Sequence, residues 1–301
     1  MSATILDGGM GKELRRIGAP FRQPEWSSLA LIEAPEMVVQ AHRNFIQAGA
    51  QVVTTNNYAV VPYHHSPEFF AARGTELTTL AAELARRAAD ESAHDVRVAG
   101  SMPPLFGSYE PSRFDAERAT PIYAAIAGAL DPFVDIWLAE TLSTIAEMQT
   151  IVSAVEHVRR DRPIWVSFAV PDVWLDDRIT LRSGESMDEI VHAVIDQALP
   201  VSAILVNCSL PEQTGPALSA LHRAIDGAEL SIELGAYANA FPTARESDYR
   251  ANEVIFERRA ELTAERYADF VGEWIATGAT LVGGCCDMYP EHIRVLGERF
   301  G

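Results

Sequence analysis

Three cysteines are the side chains of this chain best suited to metal or sulfur chemistry, and each follows a buried, β-prone run. Cys285 and Cys286 come after an apolar run and two glycines, and Cys208 comes after another apolar run. Neighbouring side chains of a regular strand point to opposite faces, so two adjacent thiols can meet only where the chain bends. Gly283 and Gly284 permit such a bend. We therefore expect the three sulfurs to converge at the C-terminal ends of strands.

Three convergent thiols form a soft ligand set that suits zinc and leaves a fourth position open. A redox pair is a weaker interpretation, because a vicinal disulfide is strained and Cys-x-x-Cys is the usual motif. Buried cysteines that serve only as small hydrophobic side chains are the plain alternative. The pattern favours a zinc site formed by Cys208, Cys285 and Cys286.

Zinc held by three thiolates leaves the centre with a net negative charge, which makes the metal a poor Lewis acid and disfavours a zinc hydrolase. The same centre lowers the pKa of a bound substrate thiol and keeps the thiolate nucleophilic. A free thiol with a pKa of about 8.5 is only a few per cent ionised at neutral pH. The ligand set therefore indicates alkylation of a substrate sulfur.

The elements that must position these sulfurs alternate between short apolar runs and amphipathic helical stretches. The pattern predicts strands over 3–8, 50–57, 96–101, 134–140, 163–169, 203–208, 233–239 and 279–284. It predicts helices near 35–48, 74–91, 114–130, 143–159, 186–198, 213–225 and 264–277. Eight such units indicate an α/β fold, a single (β/α)8 TIM-type barrel over residues 1–301, with the zinc site at the C-terminal strand ends.

Two connections are longer than the usual loop, and both follow strands on the face expected to carry the cysteines. They run from Pro171 to Ser186 and from Asn239 to Thr263. Either they are lids and substrate walls, or they decorate the barrel rim and contact partners. The acids Asp172, Asp176 and Asp177 indicate a solvated face rather than a metal site.

The composition excludes several classes of protein. A formal net charge of −18 and a pI of about 4.8 speak against nucleic acid or an anionic membrane as a partner. No apolar run approaches the span of a membrane helix, and the N-terminus carries no basic segment typical of a signal peptide. We expect a cytoplasmic protein, where free thiols favour metal binding or catalysis over disulfides.

Other strand ends carry further candidate site residues. The turn from Asp7 to Gly11 precedes a predicted helix, and its backbone N–H groups can hold an anion; Leu14 stands where a dinucleotide fingerprint needs a glycine. Glu140 ends an apolar run and needs a partner, because an unpaired buried charge is costly. Possible pocket residues at other strand ends are Asn56, Tyr58, Asn207, Tyr237 and Asn239. The histidines show no metal-ligand spacing and are interpreted as structural or surface residues.

Taken together, these motifs resemble the homocysteine S-methyltransferases nearly from end to end. The specific part is Gly283-Gly284-Cys285-Cys286 with the upstream Asn207-Cys208. The supporting motifs are Leu6-Asp7-Gly8-Gly9, Thr54-Thr55-Asn56-Asn57-Tyr58, Ala99-Gly100-Ser101, Ala139-Glu140-Thr141, Val166-Ser167-Phe168 and Pro290-Glu291-His292-Ile293.

The resemblance implies zinc-dependent methyl transfer from a sulfonium donor, S-methylmethionine or S-adenosylmethionine, to the thiol of homocysteine, which forms methionine. It implies that the amino-acid end of homocysteine is held by Asp7, Gly8, Gly9 and Ser27, and that Glu140 pairs with the substrate ammonium. The sequence lacks the C-terminal extension of betaine-using relatives and the folate and cobalamin domains of large methionine synthases, so those donors are not expected.

One departure from the family pattern lies beside the cysteines, where Asp287-Met288-Tyr289 replaces the usual Arg-Thr-Thr-like triplet. The departure bears on which methyl donor is used, while the metal ligands stay intact.

Two rival functions stay open. The first is a methyltransferase that acts on another small thiol or a selenol. The second is a non-catalytic barrel with a structural zinc.

Overall fold

Parallel strands joined by helices form the fold, as the alternating pattern predicts. The structure, a computed structural model, describes residues 2–174, 178–242 and 258–301. Its eight-stranded sheet has the order β1-β8-β7-β6-β5-β4-β3-β2. The strands are β1 Thr4–Ile5, β2 Val52–Thr54, β3 Arg97–Met102, β4 Ile136–Leu142, β5 Ile164–Phe168, β6 Val201–Asn207, β7 Glu233–Ala238 and β8 Ala279–Gly284.

The sheet closes between its first two strands. A parallel bridge joins Leu6 to Val52 just beyond β1. The N–H of Gln51 donates to the carbonyl of Ile5 at 2.7 Å, and the N–H of Asp7 donates to the carbonyl of Val52 at 3.0 Å. With β1 paired to β8 on its other side, the sheet is a (β/α)8 barrel, and the predicted fold class is confirmed.

Helices surround the barrel, and their bounds agree with most of the predicted stretches. They are α1 Met10–Arg16, α2 Ser28–Glu33, α3 Pro35–Gln47, α4 Pro67–Asp90, α5 Ala116–Leu130, α6 Ile145–Val158, α7 Met187–Asp196, α8 Pro211–Gly227, α9 Ala264–Ala276 and α10 Pro290–Phe300. The predicted start of α4 at 74 is wrong: the helix begins at Pro67, and the side chain of Ser66 caps it by accepting from the N–H of Phe69 at 3.2 Å. No described helix has the length and apolarity needed to cross a membrane.

The barrel interior has its own small hydrophobic core, separate from the larger one between strands and helices. Its members come from the strands and their ends: Leu6, Val52, Ala99, Ile136, Leu138, Trp165, Ala203, Leu205, Tyr237 and Leu281. Cys285 packs against this cluster as a partly buried neighbour. The interior core therefore ends where the predicted metal ligands begin, and close packing gives those residues a rigid base.

Both long connections are described only in part. Residues 175–177 and 243–257 lie outside the described ranges, and with them the predicted solvated acids Asp176 and Asp177. In the first connection the indole N–H of Trp174 donates to the carbonyl of Thr180 at 3.1 Å. In the second, the guanidinium of Arg259 pairs with Glu212 of α8 at 2.9 Å. The first connection is therefore held by a hydrogen bond within itself, and the end of the second is anchored to α8.

Candidate metal centre

The three cysteine sulfurs come together at the C-terminal end of the barrel. The sulfurs of Cys208, Cys285 and Cys286 all lie within 4.8 Å of one another. Those of Cys208 and Cys286 are 3.6 Å apart. Ligands at about 2.3 Å from a tetrahedral zinc are separated by about 3.8 Å, so the three sulfurs fit that ion with little movement. All three cysteines are free thiols.

Backbone hydrogen bonds fix the two adjacent cysteines after β8. The N–H of Cys285 donates to the carbonyl of Ala238 at 2.8 Å, so this residue still pairs with β7. The carbonyl of Cys286 accepts from the N–H of Ala240 at 3.0 Å. The chain then turns at Asp287, whose φ of 64° lies in the left-handed region. This turn, rather than the glycine pair, redirects the chain.

The glycine pair meets a packing requirement instead. A Cβ on Gly283 would lie 2.6 Å from Cβ of Leu6, and a Cβ on Gly284 would overlap the side chain of Met288. Neither glycine is among those with positive φ. The two glycines therefore let β8 approach the chain after β1 and the turn after Cys286.

A tyrosine from α9 bridges β7 and β8 immediately before the cysteine pair. The hydroxyl of Tyr267 donates to the carbonyl of Gly283 at 2.6 Å and accepts from the N–H of Ala238 at 3.1 Å. Tyr267 is fully buried. Its hydroxyl therefore holds the strand end from which Cys285 projects.

Cys208 is held by the end of β6. Its N–H donates to the carbonyl of Tyr237 at 3.0 Å, and its φ is 47°. The preceding Asn207 accepts from the N–H of Thr141 at 2.9 Å and from the hydroxyl of Ser167 at 2.8 Å. This amide joins the ends of β4, β5 and β6, so Asn207 fixes the backbone that carries Cys208.

A cavity opens in front of the sulfurs, and most of the predicted site residues line it. They are Asp7, Gly8, Gly9, Ser27, Asn56, Tyr58, Glu140, Cys208, Tyr237, Cys285 and Cys286. Asn207 and Asn239 are fully buried and are not among its lining residues. Asn239 instead accepts from the N–H of Phe241 at 3.1 Å. The structure therefore assembles one pocket from residues of the first, second, fourth, sixth, seventh and eighth strand ends.

Two buried carboxyl groups face this cavity. Asp7 accepts from the N–H of Thr54 at 2.8 Å; burial raises its pKa to about 8, the Thr54 hydrogen bond opposes that rise, and repulsion by Glu140 adds to it. Glu140 accepts from the hydroxyl of Ser101 at 2.5 Å and from that of Tyr237 at 3.5 Å. Burial raises the pKa of Glu140 to about 7, against the effect of these bonds. Both groups would gain from a cation in the cavity.

The pKa of each thiol depends on the other two sulfurs. Burial opposes ionisation of Cys208, but hydrogen bonds from Cys285, Cys286 and Tyr109 outweigh it and lower the pKa of Cys208. For Cys285, burial and the neighbouring sulfurs raise the pKa, and for Cys286 the hydrogen bond to Cys208 is the largest cause of a raised pKa. A dication at the three sulfurs would offset the repulsion between neighbouring thiolates, so that all three cysteines could be ionised together.

Several cavity residues were not singled out from the sequence. The hydroxyl of Tyr109 donates to the sulfur of Cys208 at 3.0 Å. Lys12 lines the cavity and its ammonium lies 2.9 Å from Asp287, with the two side chains 10% and 1% exposed. Phe21 and His64 pack against Trp26 and form an aromatic wall with it, although the histidines were interpreted as structural or surface residues. Tyr109, Phe21 and His64 lie in loops without periodicity, so the sequence offered no signal for them. Trp26 directly precedes Ser27, and the family resemblance already implied a role for that corner.

Backbone strain is concentrated here. Seven described non-glycine residues have positive φ, and five of them line the cavity or flank Cys286: Trp26, Tyr109, Thr141, Cys208 and Asp287. Left-handed backbone is costly for such residues and persists only where the surroundings enforce it. Such clustering is the pattern expected at a functional site.

Comparisons with known proteins identify the family of this chain. A family model described as Homocysteine S-methyltransferase matches residues 4–300. The homocysteine S-methyltransferase of Escherichia coli is 30% identical, over 98% of this chain and 94% of its own. The selenocysteine methyltransferase of Astragalus bisulcatus is 25% identical, over 97% of this chain and 90% of its own. Among solved structures, the metallated form of the homocysteine methyltransferase MmuM from Escherichia coli has a TM-score of 0.78 and 27% identity, and covers 99% of this chain and 96% of that chain.

Proposed function

The chain belongs to the homocysteine S-methyltransferase family, and we propose that this methyltransferase moves a methyl group from a sulfonium donor, S-methylmethionine or S-adenosylmethionine, to the thiol of homocysteine. The product is methionine. The observation that carries the proposal is the group of three sulfurs that opens onto a cavity with two buried carboxyl groups. We further propose that residues 1–301 act as a single barrel domain in the cytoplasm, with small molecules as partners.

The proposed metal ligands are Cys208, Cys285 and Cys286, and the proposed ion is zinc. Zinc held by these three sulfurs would lower the pKa of the substrate thiol, and a decrease of a couple of units would save about 2–3 kcal/mol of deprotonation cost at neutral pH. The three cysteines are held at the ends of β6 and β8 before any ion binds, so little reorganisation is needed.

The amino-acid end of homocysteine is assigned to other residues that line the same cavity. Asp7 and Glu140 would share the substrate ammonium, because both carboxyl groups are buried and each gains from a cation. Gly8, Gly9 and Ser27 would hold the carboxylate. Ser27 is positioned by Asn56, whose amide donates to its carbonyl at 3.2 Å.

The donor would approach past aromatic and acidic groups that favour a sulfonium. Tyr58 and Tyr237 line the cavity, whereas Phe168 and Trp174, also considered as aromatic contacts, are not among its lining residues. A sulfonium over a tyrosine face gains about 0.5–2 kcal/mol. In the transfer, the homocysteine thiolate forms a bond to the methyl carbon while the carbon–sulfonium bond breaks, and the donor leaves as a neutral thioether. Charge is neutralised, so exclusion of water favours the step.

A donor panel tests the proposal. Purified protein is incubated with homocysteine and, separately, S-methylmethionine, S-adenosylmethionine, betaine or methyltetrahydrofolate, and methionine formation is measured. We expect turnover with a sulfonium donor, S-methylmethionine first. Turnover with betaine alone would contradict the donor assignment. Turnover only when selenocysteine replaces homocysteine would move the acceptor to a selenol, and zinc binding without any turnover would favour a structural zinc.

A further inference from the structure

Tyr109 makes a contact that the proposed roles leave unexplained. It lies on the connection from β3 to α5, which carries none of the three cysteines, yet its hydroxyl donates to the sulfur of Cys208 at 3.0 Å. A thiol sulfur is a weak acceptor, whereas a thiolate is a strong one, so this bond gains most when Cys208 is in its metal-binding form.

The backbone at both ends of this contact is unusual. Tyr109 has a φ of 70° and Cys208 a φ of 47°, so two non-glycine residues in the left-handed region face each other. Such conformations are retained where the surroundings enforce them, and they cluster at functional sites. The neighbouring Ser108 is held as well, since its hydroxyl lies 2.7 Å from that of Tyr58.

The long connection after β5 also contacts the ring of Tyr109. The guanidinium of Arg182 lies over the ring of Tyr109, 4.6 Å from its centre, and it pairs with Asp172 at 3.6 Å. Both residues belong to the long connection after β5. A cation on the ring holds it in place and makes the phenol a better hydrogen-bond donor.

We propose that Tyr109 is a positioning residue that acts through Cys208: its hydroxyl orients that sulfur toward the other two and withdraws electron density from it. The inference rests on the proposed function only in taking the three cysteines as zinc ligands. Groups that hydrogen-bond to metal ligands typically change metal affinity or activity by about 10–100-fold when removed. The connection after β5 then serves the metal centre by holding Tyr109 through Arg182.

The test compares Tyr109→Phe with a matched control, Tyr123→Phe. Both substitutions remove one hydroxyl and keep the ring, but Tyr123 is a fully buried residue of α5 whose hydroxyl donates to the carbonyl of Pro103 at 3.0 Å, and it does not line the cavity. Zinc affinity is measured by chelator competition. The sulfur-to-metal charge-transfer band is recorded after substitution with Co²⁺, with and without homocysteine.

We expect Tyr109→Phe to weaken zinc binding by about tenfold and to shift the charge-transfer band, while Tyr123→Phe leaves both unchanged. Arg182→Gln should act in the same direction with a smaller effect. The band shift should persist when homocysteine is bound. Disappearance of the shift with homocysteine would mean that Tyr109 is itself a displaceable ligand, and would overturn the inference.

Equal affinities and spectra for Tyr109→Phe and the wild-type protein would also overturn it. The metal measurements without homocysteine are independent of turnover. A protein that shows the Tyr109 effect but forms no methionine therefore refutes the proposed reaction and retains this inference. Wild-type protein that binds no zinc would refute both.

Discussion

The assignment of Glu140 to the substrate ammonium is tested by Glu140→Gln, which keeps the size of the side chain and removes its charge. A hydrogen bond to a charged group contributes about 1.5–3 kcal/mol, so binding of an ammonium ligand should weaken by roughly 10–150-fold. Methionine is the suitable ligand, because it keeps the ammonium and carboxylate of homocysteine and has no thiol to titrate. Its dissociation constant is measured by calorimetry on zinc-loaded protein.

The pH dependence of methionine binding is a second test of the Glu140 assignment. The pKa of Glu140 is raised to about 7 and that of Asp7 to about 8, and an ammonium binds to the ionised forms. In the wild-type protein the affinity for methionine should therefore rise between pH 6 and pH 8. A smaller fraction of Glu140 is ionised at pH 6 than at pH 8, so the difference in affinity between wild type and Glu140→Gln should shrink at pH 6. The pH dependence that remains in the variant comes from Asp7.

As the pH rises, the folding stability should fall while the affinity for methionine increases. Because the pKa of Glu140 rises on folding from 4.5 to about 7, the folded protein binds the proton more tightly than the unfolded chain. The resulting stability is present below pH 4.5 and is lost as the pH rises to 7, at a cost of the order of 3 kcal/mol. Glu140→Gln removes this loss, so at pH 8 the variant should be at least as stable as the wild type.

Glu147→Gln is the matched control. Glu147 is also buried, and its pKa is also raised to about 7, chiefly by burial. However, it accepts from the N–H groups of Ser143 and Thr144 at the start of α6 and does not line the cavity. By the same linkage this variant should also be at least as stable as the wild type at pH 8, but it should keep its affinity for methionine. Wild-type affinity in Glu140→Gln, or an unchanged pH slope, would refute the ammonium assignment.

Protein purified without added metal should contain about one zinc per chain by elemental analysis, and Cys285→Ser should lose most of it while the barrel stays folded; full retention would contradict the metal assignment. Lys12→Met leaves the buried carboxylate of Asp287 without its 2.9 Å partner, so the unfolding free energy should fall by about 3–5 kcal/mol in denaturant titrations, and adding Asp287→Asn should recover part of it. Tyr267→Phe should cost about 1–3 kcal/mol in the same titrations and weaken zinc binding, because it releases the strand end before Cys285; unchanged zinc affinity would show that this bridge is only structural.

The sequence predicted those parts of the site that follow from strand periodicity. Cys208, Cys285 and Glu140 each end an apolar run, and the ends of parallel strands meet on one face of a barrel. Their convergence required no knowledge of loop conformation. The start of α4 was also available, because Ser66 followed by Pro67 is a helix-start signal, and it was overlooked.

Other contacts depend on the closed fold. Tyr109 reaches Cys208 only because its backbone is left-handed, and Lys12 meets Asp287 because the first and last strands are neighbours. Tyr267 enters the β7–β8 ladder from a helix. Such pairs join residues that are distant in the sequence, so they leave no local pattern in it.

The closure of the barrel between β1 and β2 has a consequence for detecting ligands. These strands have two and three residues, and beyond their last bridge the carboxylate of Asp7 accepts from the N–H of Thr54 at 2.8 Å. The carboxylate of Asp7 thus joins the ends of β1 and β2, where the barrel closes, and it also faces the cavity. An ammonium ligand holds Asp7 ionised and makes it a stronger acceptor, so the Thr54 amide should exchange its hydrogen more slowly in the bound protein. That amide is a native reporter of occupancy, readable without a label or turnover.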